Sequence, residues 1–128
     1  MRLLGYSPIR VASCLLWCLC WPIIAMLLLR PMPFDLPSRS DLLSHFLLFG
    51  TMAVVVILFA RSRLQILALS TLTIILSLVL EAAQGYVPHR YADIADALAN
   101  MSGAVAGGVL ALLIFRHLSA SASHAARA

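Results

Sequence analysis

Four long apolar runs, separated by short polar segments, make up most of the chain. The first run, Val11–Leu29, contains no charged residue. As a helix rising about 1.5 Å per residue it would span roughly 28 Å, close to the hydrocarbon thickness of a bilayer. The other three runs have similar lengths and end at polar or charged residues. The pattern therefore predicts four membrane-spanning helices, at about residues 11–29, 42–60, 64–84 and 94–115.

Polar residues also mark the ends of these helices. Arg61 and Arg63 interrupt the apolar sequence between the second and third helices and predict a tight hairpin. Gly85 followed by Pro88 predicts the end of the third helix, with Gly85 as a left-handed cap. Residues 1–118 are thus predicted to form one four-helix transmembrane domain. Residues 119–128 are small and without periodicity, and we predict that they are disordered.

Composition supports a membrane protein. With 62% hydrophobic residues, 11% charged residues and a mean hydropathy of +1.00, the chain exceeds the apolar content of a soluble domain, which is about 45 to 50%. The predicted fold class is an all-α, polytopic bundle. The net charge of +4 comes from nine arginines and no lysine, placed at the edges of the apolar runs. Because they form no basic stripe with interleaved aromatic residues, nucleic acid is not a predicted partner, whereas membrane lipids are. Guanidinium groups suit the phosphates of lipid head groups.

The arginines also predict orientation, because cytoplasmic loops carry an excess of positive residues. Six of the nine fall on the side of the two termini and of the Arg61 turn, and three fall on the other side. Both termini are therefore predicted to be cytoplasmic, in a multi-pass protein of the bacterial cytoplasmic (inner) membrane. The segments Arg30–Asp41 and Gly85–Asp93 are then predicted to face outward.

The three cysteines, Cys14, Cys18 and Cys20, all lie in the first apolar run. An odd number within one helix gives neither a disulfide framework nor a zinc-finger spacing. We expect these thiols to pack as small hydrophobic groups, and no cofactor is predicted.

Polar residues of three helices converge on the predicted outer end of the bundle. Asp41 and His45, spaced i, i+4, share one face of the second helix, and Glu81 is within the apolar run of the third. A carboxylate there needs a partner or a proton, which makes it a candidate for function. The predicted ligand-binding residues of this end are Asp41, His45, Glu81, Gln84, Arg90, Asp93, Asp96 and Asn100.

Some of these residues have purely structural interpretations. Asp93 or Asp96 could cap the fourth helix, because Asp accepts hydrogen bonds from the unpaired amides of a helix N-terminus. Asn100 could be a hydrogen-bond partner between helices, worth about 0.6 kcal/mol in a membrane. The structural interpretation is weakest for Glu81.

A ladder of small residues follows the fourth helix at spacing i, i+4: Ala95, Ala99, Gly103, Gly107 and Ala111. Small residues let helix backbones approach closely in a membrane, where lipid gives no hydrophobic drive for pairing. The ladder therefore predicts a packing seam, and a contact within the monomer is favoured over dimerisation.

The outer residues can support more than one chemistry. Glu81, His45 and Asp96 supply groups for acid/base catalysis, and together with Asp41 they make a plausible hard-ligand metal site. Arg90, in the loop between two acidic helix ends, suits recognition of a phosphate or carboxylate on a lipid-linked molecule.

Four segments together resemble the VanZ-like family, over roughly residues 35 to 115. They are Asp41-Leu-Leu-Ser-His45-Phe, Glu81-Ala-Ala-Gln84, Pro88-His-Arg90 and Asp96-Ala-Leu-Ala-Asn100-Met-Ser-Gly103-Ala. The resemblance implies a small polytopic bacterial membrane protein. The founding member is associated with low-level resistance to the glycopeptide teicoplanin, so an effect on glycopeptide susceptibility is implied, but no catalytic role is.

The chain departs from the common family pattern at two positions. Leu42 stands where a lysine often follows the aspartate of the second helix. His89 stands where the loop commonly reads Pro-Gly-Arg, which adds an imidazole to this loop.

Three hypotheses for function follow. In the first, the protein binds an anionic envelope lipid or a lipid-linked cell-wall precursor through the outer residues. In the second it is an intramembrane enzyme, an acid/base or metal-assisted hydrolase using Glu81, His45 and Asp96. In the third it is a structural membrane subunit whose polar groups only hold helices together. No oligomeric state is predicted.

Overall fold

The structure is a computed structural model that describes residues 7–31 and 38–125, with side chains for 7–31 and 41–121. These residues form four α-helices and one short 3₁₀ helix, without a strand. The helices are α1 (Pro8–Leu28), α2 (Ser38–Val54), a 3₁₀ helix (Val55–Leu58), α3 (Arg63–Gln84) and α4 (Ile94–Ala125). The predicted all-α class is confirmed. Residues 32–37 of the predicted outer loop and residues 126–128 of the predicted tail lie outside the described part.

Each helix contains a segment long and apolar enough to cross a membrane. These segments are Pro8–Leu28, Asp41–Leu58, Arg63–Gln84 and Ile94–Ser121. Large apolar side chains such as Leu15, Leu47, Ile75 and Val109 are exposed on every helix, as lipid-facing residues are. The prediction of a four-helix transmembrane bundle is therefore confirmed, and the cytoplasmic placement of the termini stays a prediction.

The closest helix pair is α2 with α4, which are in contact along much of their length. The predicted seam explains this, because Gly103 of α4 lies against the Phe46 carbonyl oxygen and Gly107 lies against the Gly50 carbonyl oxygen. A Cβ atom at either glycine would overlap that oxygen. Because glycine has no side chain, the α2 and α4 backbones come into direct contact at these two positions, as expected for membrane helices.

The buried face of α3 is a polar stripe that was not predicted from the sequence, and Ser70 of this stripe lies against Gly108 of α4. Ser70, Thr73 and Ser77 are buried, and Glu81 and Gln84 continue the same stripe. The Thr73 hydroxyl donates to the Leu69 carbonyl at 2.9 Å and the Ser77 hydroxyl to the Ile74 carbonyl at 2.8 Å, so both are satisfied inside their own helix. Their spacing of three or four residues was a readable signal of one buried face.

Helix α1 is peripheral, with only Trp17 and Ile24 buried. The Trp17 indole Nε1 donates to the Met52 carbonyl oxygen of α2 at 2.9 Å. The Trp17 ring also contacts Trp21 edge-on, with a centroid distance of 5.6 Å. A buried indole with a satisfied N–H therefore attaches α1 to the rest of the bundle.

Two local expectations differ from the structure. Gly85 is not a left-handed cap, since it has a right-handed φ of −62°. The end of α3 instead continues in short-range turns, with Gly85 N–H to Ala82 O at 3.3 Å and Tyr86 N–H to Ala83 O at 3.1 Å, which need no left-handed residue. The left-handed residue is His89, with φ of 62°.

The second difference is at the end of α4, which is helical to Ala125. Part of the predicted disordered tail, residues 119–125, therefore continues the helix. The segment is rich in alanine, the strongest helix former, and the Ser119 and Ser121 hydroxyls donate to the Phe115 and His117 carbonyls, four residues earlier.

Candidate functional site

Side chains of three helices meet at the end of the bundle where α2 begins, α3 ends and α4 begins. We call Asp41, His45, Glu81, Asp96 and Asn100 the polar cluster. His45, Glu81 and Asn100 are buried, with 2%, 5% and 1% of their surface exposed, and the two aspartates are half-buried. Alternating helix directions bring these residues together, and the close α2–α4 contact holds α2 and α4 side chains within bonding distance.

His45 and Asn100 form the central hydrogen bond of the cluster. His45 Nδ1 lies 2.8 Å from Asn100 Oδ1, linking α2 to α4. An amide oxygen only accepts, so in this arrangement Nδ1 carries the proton and donates it. Asn100 thereby fixes both the ring orientation and the tautomer of His45.

The other ring nitrogen of His45 faces carboxylates. Nε2 lies 3.6 Å from Asp41 Oδ1, one turn earlier on α2. One oxygen each from Asp41 and Asp96 and one ring nitrogen of His45 lie within 4.8 Å of one another. The half-buried rim of the cluster therefore combines one imidazole with two carboxylates.

Glu81 is the most buried carboxylate of the cluster. Its Oε1 accepts the backbone N–H of Asp93 at 3.0 Å, immediately before α4. Its Oε2 is buried without a hydrogen-bond partner among the described residues, and lies 4.0 Å from His45 Nδ1. One carboxylate oxygen of Glu81 thus binds the backbone at the start of α4, and the other has no hydrogen-bond partner among the described residues.

Asp93 has the capping role that was one of its two interpretations. Its Oδ1 accepts the N–H of Ala95 at 2.8 Å, and its carbonyl accepts the N–H of Ala97 at 3.0 Å. The side chain is exposed and serves the N-terminus of α4. The contact between its backbone amide and Glu81 left no signal in the sequence, because a backbone donor is present at every residue except proline.

Arg90 and Gln84 flank the polar cluster. The half-buried Arg90 donates from Nε to the Arg30 carbonyl oxygen at 3.1 Å, which ties the loop before α4 to the end of α1. Gln84 is buried one turn beyond Glu81 on α3, and its Nε2 has no hydrogen-bond partner among the described residues. A second buried polar atom at this end is therefore unsatisfied.

The two ends of the bundle differ in charge. Around the polar cluster three carboxylates lie close to one imidazole, whereas Arg10, Arg61, Arg63 and Arg116 lie at the other end. A groove of about 440 Å³ at that other end is lined by Arg10, Phe59 and Gln65 among others and is remote from the cluster. The polar cluster can hold a cation, exchange a proton between neighbouring groups or accept hydrogen bonds from a hydroxylated head group.

An apolar groove runs beside the polar cluster, on the outside of the α2–α4 pair. It is shallow and wide open, and it includes Leu42, which follows Asp41, and Ala95, which precedes Asp96. Leu43, Phe46 and Leu98 extend its lining. A polar site and an apolar groove thus lie side by side at the membrane boundary.

Comparison with known proteins gives one match. A model of the VanZ/LLP1 family matches residues 14–116, a stretch that begins within α1 and ends within α4. Neither the curated proteins nor the solved structures give a match to the chain.

Proposed function

The chain belongs to the VanZ/LLP1 family, and from this premise we propose that it binds an anionic envelope lipid or a lipid-linked cell-wall precursor at the polar cluster. We further propose that it does so in the bacterial cytoplasmic membrane, with the polar cluster facing outward. A change in glycopeptide susceptibility on loss of the protein is the cellular consequence that this proposal predicts.

The observation that carries the proposal is the unpaired Oε2 of Glu81. The large majority of buried side-chain polar atoms in proteins have a hydrogen-bond partner, and an unpaired one costs about 1 to 3 kcal/mol. Glu81 Oε2 and Gln84 Nε2 both lack a partner among the described residues. Their position at the same end of α3 is what a site requires when its partner is a ligand.

The apolar groove supports an amphiphilic ligand. A molecule with a polar head at the polar cluster can lay its chain along Leu42, Phe46 and Leu98. Burial of apolar surface contributes about 25 cal/mol per Å², so the chain would add affinity and the head group would add selectivity.

Arg90 supports the anionic character of the head group. It lies just before α4, whose N-terminal amides add partial positive charge. The guanidinium of Arg90 is anchored through Nε to the Arg30 carbonyl, which holds it near the cluster. Arginine presents its remaining donors in a fork that matches phosphate and carboxylate.

The intramembrane enzyme is the second candidate, and one contact favours it. Glu81 Oε2 lies 4.0 Å from His45 Nδ1, and an oxygen of Asp96 lies within 4.8 Å of a ring nitrogen of His45, so a proton acceptor and a possible acid adjoin one another. The structural subunit is less favoured, because groups that only lock helices together would have paired Glu81 and Gln84.

The binding proposal is tested by lipid analysis of the purified protein. Wild type, Arg90→Ala and Arg90→Lys are purified in the same mild detergent, and the copurifying envelope molecules are identified and quantified by mass spectrometry. Wild type is expected to carry one enriched anionic class that Arg90→Ala loses and Arg90→Lys partly retains.

Arg116→Ala is the matched control, because it removes one exposed arginine at the opposite end of α4. It should leave the enriched class unchanged. Identical bound material in wild type and Arg90→Ala, with both variants folded, would rule out the proposed binding mode.

A further inference from the structure

We propose that Asp41, His45 and Asp96 form a binding site for a divalent transition-metal cation such as Zn²⁺. The three residues offer one imidazole nitrogen and two carboxylate oxygens within 4.8 Å of one another. They come from two helices that are held together by direct backbone contact at Gly103 and Gly107. The geometry is thus set by the rigid α2–α4 pair and not by a loop.

His45 is oriented as a metal ligand is. Histidines that bind a metal through one nitrogen almost always donate the other N–H to a protein acceptor, which fixes the tautomer. Here Nδ1 donates to Asn100 Oδ1 at 2.8 Å. Nε2 is therefore the ring nitrogen left for a cation, and it faces Asp41 Oδ1 at 3.6 Å.

The carboxylates around His45 are a second argument for a bound cation. His45 Nε2 and Asp41 Oδ1 face each other at 3.6 Å, and one ligand oxygen of Asp96 lies within 4.8 Å of the ligand atoms of both residues. Independently, the buried Glu81 directs its unpaired Oε2 toward the same imidazole at 4.0 Å. Three carboxylates around one ring, at a membrane boundary, repel one another unless positive charge lies among them.

The donor set selects the class of metal. Zinc binds histidine nitrogen and carboxylate oxygen at about 2.0 to 2.2 Å, so ligand atoms in a tetrahedral site lie about 3.3 Å apart. The side chains would therefore close by up to about 1.5 Å, which rotamer changes at the half-buried aspartates can supply. An imidazole ligand favours zinc and its neighbours over Mg²⁺ or Ca²⁺.

Three protein ligands leave a fourth position open. A phosphate or carboxylate oxygen could occupy it, which would explain how an acidic cluster receives an anionic head group. That role rests on the proposed function, whereas the metal site does not and can be tested without any lipid.

The test is a zinc titration of detergent-solubilised protein after chelator treatment and dialysis. Isothermal calorimetry gives the stoichiometry and affinity, and thermal unfolding with and without Zn²⁺ gives a second readout. Wild type should bind about one Zn²⁺ per chain and unfold at a higher temperature in its presence. Asp96→Asn and Asp41→Asn should each weaken binding by at least about tenfold and lose that rise.

Asp93→Asn is the matched control. It removes a nearby carboxylate outside the three ligands, and asparagine preserves the helix cap, so affinity should match wild type. Equal zinc binding by wild type, Asp41→Asn and Asp96→Asn would assign the metal to other groups, such as the thiols of α1, and overturn the proposal. Absence of zinc binding by folded wild type would overturn it too and leave His45 as an ion-pair partner of Asp41. Both results would leave the lipid test of Arg90 unaffected.

Discussion

His45 Nδ1 donates a hydrogen bond to Asn100 Oδ1 across 2.8 Å, although 55 residues separate the two along the chain. The bond joins α2 to α4 at the depth of the buried Glu81. It therefore serves two purposes at once, holding two membrane helices in register and fixing which nitrogen of His45 faces the carboxylates.

Replacing Asn100 by leucine, which has a similar size, should destabilise the protein by about 1 to 3 kcal/mol, because the buried Nδ1–H of His45 loses its acceptor. Unfolding in mixed detergent micelles measures the change. Ser102→Ala is the control on the same helix, since Ser102 is exposed and bonds only to the Ala99 carbonyl within α4. Equal stability of the two variants would contradict the assigned role of Asn100.

Gly107→Ala should be more destabilising than Gly108→Ala. At Gly107 the added methyl would overlap the Gly50 carbonyl oxygen, so α2 and α4 must separate, at a cost of about 1 to 3 kcal/mol. At Gly108 the nearest atoms belong to the Ser70 side chain: rotation can move Oγ, at 2.7 Å, and Cβ, at 3.0 Å, remains a tight contact without a backbone overlap. Unfolding of the two variants side by side gives the comparison, and the reverse order would show that the α2–α4 seam does not limit stability.

Trp17→Phe and Trp21→Phe form a second matched pair. Trp17 donates to the Met52 carbonyl, whereas Trp21 Nε1 has no hydrogen-bond partner among the described residues. Trp17→Phe loses a hydrogen bond of about 1 kcal/mol at a buried ring, whereas Trp21→Phe removes, at a half-buried ring, an N–H that has no partner among the described residues. Trp17→Phe should be the less stable variant and should make α1 more accessible to limited proteolysis. Two equally stable variants would show that this hydrogen bond does not anchor α1.

His89 has a left-handed backbone with φ of 62°, which costs a residue other than glycine about 1 to 2 kcal/mol. His89→Gly should therefore be neutral or slightly stabilising, because the relieved strain exceeds the added entropy of the unfolded chain, about 0.4 to 1 kcal/mol. His89→Val should destabilise, since β-branched residues tolerate this region poorly. Thermal unfolding of both variants tests the assignment, and it fails if valine is tolerated as well as glycine.

The sequence predicted the features that follow from hydropathy and helix periodicity. Four apolar runs required four membrane helices, and their alternating direction placed Asp41, His45, Glu81 and Asp96 at one end. The glycine ladder likewise predicted a close helix contact, which the structure shows against Phe46 and Gly50. These features depend on residue type and spacing alone.

Features that depend on backbone contacts could not be predicted in this way. The hydrogen bond from the Asp93 amide to Glu81 uses a donor that nearly every residue has. Gly85 was predicted to be the left-handed residue at the end of α3, but α3 ends in turns that need no left-handed residue. The residue with a positive φ is instead His89. The tail was predicted to be disordered because its residues are small and show no periodicity, whereas its alanine content keeps α4 helical to Ala125.

We propose that Glu81 Oε2 is unpaired because a ligand uses it, and the variant Glu81→Gln separates this role from a purely structural one. Glutamine can keep an oxygen on the Asp93 amide, so the variant should fold with a stability within about 1 kcal/mol of wild type. It places an NH₂ donor where the unpaired oxygen was, so a ligand that donates a hydrogen bond there is rejected.

The measurement is the amount of copurifying envelope molecule per chain, by native mass spectrometry of wild type and Glu81→Gln in the same detergent. We expect a folded Glu81→Gln protein with at least about tenfold less of the bound class, a loss of roughly 1.4 kcal/mol or more in binding. Wild-type amounts of bound material on a folded Glu81→Gln protein would contradict it.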